Sequence, residues 1–97
     1  MDLTNSQRKF LRGLTHGLEP VVMVADKGLT ENVRAELELA LEHHELIKVK
    51  VRADRGQRKA WTEEIAQATG AHLVHQIGQV ACYYRRHPKK PKLTLPR

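Results

Sequence analysis

Apolar and polar positions along this chain alternate between helical and extended spacing. Thr4 with Gln7 three residues on is the signature of a capping box, opening a helix that should run to about His16. Phe10, Leu11 and Leu14 form its expected buried stripe, Gly13 weakens it, and Gly17 ends it. Pro20 leads into Val21-Val22-Met23-Val24, a continuous apolar run that suits a strand covered on both faces. After the loop Ala25-Asp26-Lys27-Gly28, Thr30 caps a second helix, and Glu31 in its first turn suits the helix dipole. Val33, Leu37, Ala40, Leu41 and His44 share one face of that helix. Leu39 does not, and is expected either at the surface or against a partner the pattern does not reveal.

From Leu46 to Arg52 the period falls to two. Ile47, Val49 and Val51 point one way, and Lys48, Lys50 and Arg52 the other. Asp54-Arg55-Gly56 breaks the strand and opens a third helix near Gln57, with Trp61, Ile65 and Ala68 as its seam and Gly70 at its end. Two short strands follow, about Ala71 to Gln76 and Val80 to Tyr84, joined by the turn Ile77-Gly78-Gln79. The order α-β-α-β-α-β-β predicts a two-layer α/β domain with a small mixed four-stranded sheet. Its first strands are parallel through helical crossovers, and its last hairpin is antiparallel. Residues 1–86 make this single domain. The ending RRHPKKPKLTLPR has three prolines, six basic residues and no acid, so residues 87–97 read as a tail, extended or disordered unless Leu93 and Leu95 dock it.

Charge changes the picture. Lys and Arg total 17 against 11 Asp and Glu, a net charge of +6. That balance favours an anionic partner, and nucleic acid is the commonest one. A single cysteine, Cys82, sits in an apolar run, so no disulfide framework exists and a reducing cytoplasm is the expected location. Cys82 itself reads as a small buried hydrophobe. No window approaches the ~18 apolar residues of a membrane span.

Catalytic chemistry finds little footing. His72 and His75 are three apart on a strand and should face opposite sides of the sheet. His43 and His44 are adjacent at a helix end, without the one-turn spacing of a zinc helix. Glu36, Glu38, Glu42 and Glu45 line the expected solvent face of the second helix. No metal, cofactor or small-molecule substrate is expected, and no enzyme. Ala25-Asp26-Lys27-Gly28 is neither a Walker A loop nor a dinucleotide fingerprint. It is a strand-to-helix turn with a cation, comparable to the GXXG loop with which KH domains clamp a nucleic-acid backbone. Lys48, Lys50, Arg52, Arg55, Arg58 and Lys59 crowd into twelve residues. Arg85, Arg86, Lys89, Lys90 and Lys92 form a second cluster. Two basic clusters around one sheet, together with Lys27, favour a surface for the phosphate backbone. Aromatics are few, and Phe10 and Trp61 are expected in the core, so a base-stacking platform is poorly supported. The competing reading is an adaptor whose basic surface meets an acidic protein partner.

Several stretches together resemble a known family: Leu29-Thr30-Glu31 and its helix, LEHHELIKVKV at Leu41 to Val51, TGAHLVHQIGQ at Thr69 to Gln79, and the ending Tyr84-Arg85. The chain is similar to the stand-alone CRM (chloroplast RNA splicing and ribosome maturation) domain of the YhbY type, from Leu3 to Arg97. The resemblance implies a fold like the C-terminal domain of translation initiation factor three. It also implies association with precursors of the large ribosomal subunit, through rRNA of the 23S type. A monomer is the expected state. The family's GXXG loop maps onto Ala25-Asp26-Lys27-Gly28, with alanine in the first glycine's place. If that position needs a positive φ, Ala25 is strained; if it needs only close approach, one methyl is added.

Overall fold

The computed structural model describes residues 2–97. Helix α1 (Asn5–Leu14) continues into a 3-10 turn (Thr15–Gly17) and leads to strand β1 (Pro20–Val24). Helix α2 (Glu31–His44), strand β2 (Leu46–Val51), helix α3 (Arg55–Thr69) and the hairpin β3 (His72–Ile77) and β4 (Val80–Tyr84) complete the chain. The sheet has the order β1-β2-β4-β3. β1 and β2 are parallel, and β4 runs antiparallel to both β2 and β3. The two-layer α/β plan with a mixed sheet is therefore present, and the helices start where local chemistry says they should. Thr4 and Gln7 form the complete capping box of α1. The Thr30 hydroxyl accepts from the Val33 amide, and the Asp54 carboxylate from the Gln57 amide. With Asp54 as its cap, α3 begins two residues before the expected Gln57.

One face of the sheet carries the main core. Val22, Val24, Ile47, Val49, Val51, Ala81 and Tyr83 pack there against Leu37 and Leu41 of α2 and Ile65 of α3. The seam of α3 runs through Thr62, Ile65 and Thr69. Ala68 is exposed and Trp61 half-buried. His44 lies at the surface, as does Leu39. The Tyr83 hydroxyl donates to the Thr62 carbonyl at 2.8 Å, which satisfies a polar group in the core.

The second face is covered over part of its length. Leu3, Leu11, Leu46, Val74, Cys82 and Tyr84 make a smaller cluster, with Leu93 and Leu95 packed on it. Cys82 is fully buried and burial pushes its thiol pKa up, in keeping with a packing role. Only Leu11 of the expected α1 stripe is buried; Phe10 and Leu14 are exposed. Nor is β1 covered on both faces: Val22 and Val24 are buried while Val21 and Met23 are about half exposed. An apolar run specifies two covered faces only if a second layer reaches it, and β1 is an edge strand that α1 does not reach. A bulge between Leu73 and His75 also breaks the alternation of β3. It sets His72 opposite Tyr84 and His75 opposite Cys82, so the two histidines share a face instead of opposing one another.

The C-terminal segment is docked, and Glu45 docks it. Glu45 is fully buried, contrary to its expected place on the solvent face of α2. It caps α2 with φ 61°, the positive-φ conformation usually left to glycine or asparagine. Its carboxylate accepts from the amides of His87 (2.7 Å), Lys92 (2.7 Å) and Leu93 (2.8 Å). Its carbonyl accepts from the Arg85 amide. Desolvation pushes the carboxyl pKa upward, but those three amide bonds and the nearby His87 outweigh it and hold the group below its ordinary value.

Candidate nucleic-acid interface

Parallel pairing of β1 and β2 brings their C-terminal ends to one edge of the molecule, and α2 and α3 start from that edge. The antiparallel hairpin delivers its tip to the same place. Two backbone bonds tie these segments together: the Arg52 amide donates to the Val24 carbonyl at 2.8 Å, and the Val51 amide to the Gln79 carbonyl at 2.6 Å. Ligands of open α/β sheets commonly lie outside the carboxyl ends of the parallel strands. We refer to this edge as the rim.

The loop Ala25-Asp26-Lys27-Gly28 is a tight turn in which the Gly28 amide donates to the Ala25 carbonyl at 2.7 Å. Gly28 has φ 67°, whereas Ala25 has no positive φ. Alanine in the first glycine's place therefore carries no backbone strain. Gly28 also lies against α3: a Cβ built on it would stand 3.1 Å from Cε2 and Cζ2 of Trp61. Glycine is needed here twice over, for conformation and for close approach. The amides of Gly28 and Thr30 are both engaged, with the Ala25 and Gly28 carbonyls. Positive charge at this loop thus comes from the exposed Lys27 side chain, with the exposed Asp26 carboxylate beside it.

Ala25, Asp26, Arg52 and Gln79 line a shallow depression at the rim. A second depression beside it is lined by Arg55, Arg58, Lys59, Gln76 and Gly78, among others. The hairpin tip separates the two. The fold thus unites Ala25, Asp26, Lys27, Gly28, Arg52, Arg55, Arg58 and Lys59 in one band, and Lys50 stands next to it, opposite Val80 on β4. Arg58 also supports the local chain, donating to the Ala53 carbonyl at 3.2 Å. Lys48 lies two pairs further from the rim, opposite Cys82.

Arg85 and Arg86 fall at the opposite end of the sheet, beyond Tyr84, which pairs with Leu46. The Arg85 guanidinium is spent on structure, bonding Glu38 at 2.7 Å and the Thr69 carbonyl at 2.9 Å. Arg86 is exposed beside the docked segment. Gln76, Gly78 and Gln79 belong to the band although sequence spacing singled out none of them for contact. The signal was available in the topology, because an antiparallel hairpin must return its turn to the edge where the parallel strands end. Among the described residues no group of three or more His, Cys, Asp or Glu side chains is placed to hold a metal ion. No described helix is long and apolar enough to cross a membrane.

Comparison with known proteins points the same way. The family model for the CRS1 / YhbY (CRM) domain matches residues 3–85. A Haemophilus influenzae protein named an RNA-binding protein is 48% identical over 96 residues, covering 98% of this chain and 96% of the relative. A Pseudomonas aeruginosa protein named a probable RNA-binding protein is 47% identical over 93 residues, covering 95% and 89%. The solution structure of a hypothetical protein of Staphylococcus aureus superimposes with a TM-score of 0.82 at 32% identity, covering 98% of this chain and 100% of that one.

Proposed function

The chain belongs to the CRS1 / YhbY (CRM) domain family, whose relatives are named RNA-binding proteins, and on that premise we propose a non-enzymatic factor that binds rRNA in precursor large ribosomal subunits and assists their assembly. The observation that carries the RNA-binding part is the cationic rim, where Lys27, Arg52, Arg55, Arg58 and Lys59 converge from the segments that follow β1 and β2 and the first two turns of α3. These side chains are spaced along an edge and line open, shallow depressions. Such a layout suits a phosphate backbone better than a small substrate. The starts of α2 and α3 add the positive ends of two helix dipoles at the same edge. Arg86 and the lysines of the C-terminal segment, at the far end of the sheet, add long-range attraction. The cytoplasm is the proposed location and the monomer the proposed state.

The adaptor reading gains little from Leu39. It is 59% exposed, but it stands among Glu36, Glu42 and His43 on a charged helix face, and a lone surface leucine is ordinary. Ultraviolet crosslinking in cells, followed by purification of this protein and sequencing of the attached RNA, tests the proposal. Reads concentrated in unprocessed large-subunit rRNA are expected. Scattered reads at background level would refute the assembly role.

A further inference from the structure

Strand register places one residue from each strand in a single row across the uncovered part of the second sheet face. Met23 pairs with Lys50, Lys50 with Val80, and Val80 with Ile77. Cross-strand partners share a face, so all four side chains stand on the side opposite α2 and α3. Met23 is 51% exposed and Ile77 65% exposed. Lys50 is exposed and Val80 half-buried. Leu11 of α1 meets the cluster of Leu46, Cys82 and Tyr84 further along the sheet; Val80 packs against the border of that cluster, and Met23, Lys50 and Ile77 lie outside it. Val21, 49% exposed, extends the apolar strip along β1 beside Lys48, and both line a groove that reaches Leu14.

Scattered apolar residues on a surface mean little, but this strip is contiguous, crosses all four strands and is interleaved with two lysines. It also adjoins the rim directly. Val24 and Ala25 follow Met23, Val51 and Arg52 follow Lys50, and Gly78 and Gln79 join Ile77 to Val80. A duplex would offer this face only phosphates and sugar, since its bases are stacked inside. An unpaired strand held at the rim by its backbone can splay its bases onto the sheet.

We propose that the Met23–Lys50–Val80–Ile77 row is a docking surface for the unpaired bases of an RNA strand whose phosphates are held at the rim. The inference rests on the RNA-binding reading above and narrows it to single-stranded segments. Met23, Val80 and Ile77 supply apolar contact to base faces. The Lys50 ammonium, between Met23 and Val80, lies over a base or reaches a phosphate beside it. Nothing in this mode reads base edges, so sequence preference is slight.

The test uses the full chain, a fluorescent twelve-nucleotide oligouridine, and an RNA duplex of the same length. A Met23→Ser, Ile77→Ser double variant changes only exposed side chains and retains the fold. It is expected to bind oligouridine about tenfold more weakly, with the duplex affinity and the slope of log affinity against log salt unchanged. A Met23→Phe variant is expected to bind oligouridine several-fold more tightly, because an aromatic face stacks better than a thioether. Wild-type affinity in both variants would overturn the inference while leaving the rim reading intact. Equal losses for oligouridine and duplex would overturn it too, as would reduced self-association in light scattering without any change in RNA affinity. A wild-type protein that binds neither RNA would instead refute the RNA-binding reading itself.

Discussion

Gly28 and Glu45 are the two residues where local chemistry and tertiary structure meet most sharply. At Gly28 a methyl group meets both a left-handed φ of 67° and the Trp61 ring at 3.1 Å. Gly28→Ala should therefore destabilise the protein by about 1–3 kcal/mol in urea unfolding, whereas Ala25→Gly should cost no more than about 1 kcal/mol. At Glu45 the carboxylate is buried and bonded to three amides. Its pKa in the folded protein lies below the ordinary 4.5, so its contribution to stability is fully present above about pH 4.5 and is lost as pH falls through the lower, folded value. Glu45→Gln removes that charge and turns an amide group toward one or two of the three donors. The variant should lose about 2–4 kcal/mol near neutral pH. Its unfolding free energy should also depend less on pH in the acid range, as a urea series from pH 3 to 7 would show. Sequence alone placed Glu45 on a solvated face because helical spacing sees only its own element. The amides that bury it lie 42 to 48 positions away.

At the scale of elements, much was legible. The Thr4–Gln7 capping box, the Thr30 cap, the alternation through β2 and the limits of β4 all follow from local patterns, because each is decided within a few residues. What failed depended on how far one element reaches over another. Val21 and Met23 are as apolar as Val22 and Val24, and only the position of α1 leaves them uncovered. The bulge in β3 likewise has no residue signature that sets His75 apart. The C-terminal segment behaves as part of the fold, with Leu93 and Leu95 on the second core cluster and Gln7 of α1 donating to the Pro96 carbonyl at 3.0 Å. Removing residues 87–97 should therefore cost stability as a docked element does, lowering the unfolding free energy by about 2–4 kcal/mol. A truncated protein as stable as the full chain would show that the segment is only a tail. Arg85 gives a companion test at the same end of the sheet. Its bonds to Glu38 and Thr69 predict that Arg85→Ala loses about 1 kcal/mol of stability, while Arg86→Ala leaves stability unchanged.

For the whole molecule, topology turns a scattered list of basic residues into one surface and a remainder. Lys27, Arg52, Arg55, Arg58 and Lys59 come together because β1 and β2 are parallel and each feeds a helix at the same edge. Arg85 and Arg86 are excluded because β4 runs the other way. The candidate loop was visible in the sequence, as was the cluster around Arg52. Their union with the hairpin tip was not, since it needs the strand order. The most direct test of the phosphate-binding rim is the salt dependence of oligouridine affinity for the wild-type protein and a Lys27→Glu, Arg52→Glu variant. With four or five phosphate contacts, log affinity should fall against log salt with a slope of about −3 for a single strand. The variant should bind at least tenfold more weakly, with a slope shallower by about 1.4 for the two contacts removed. A wild-type slope near zero, or a variant that follows the wild type at every salt concentration, would contradict the account.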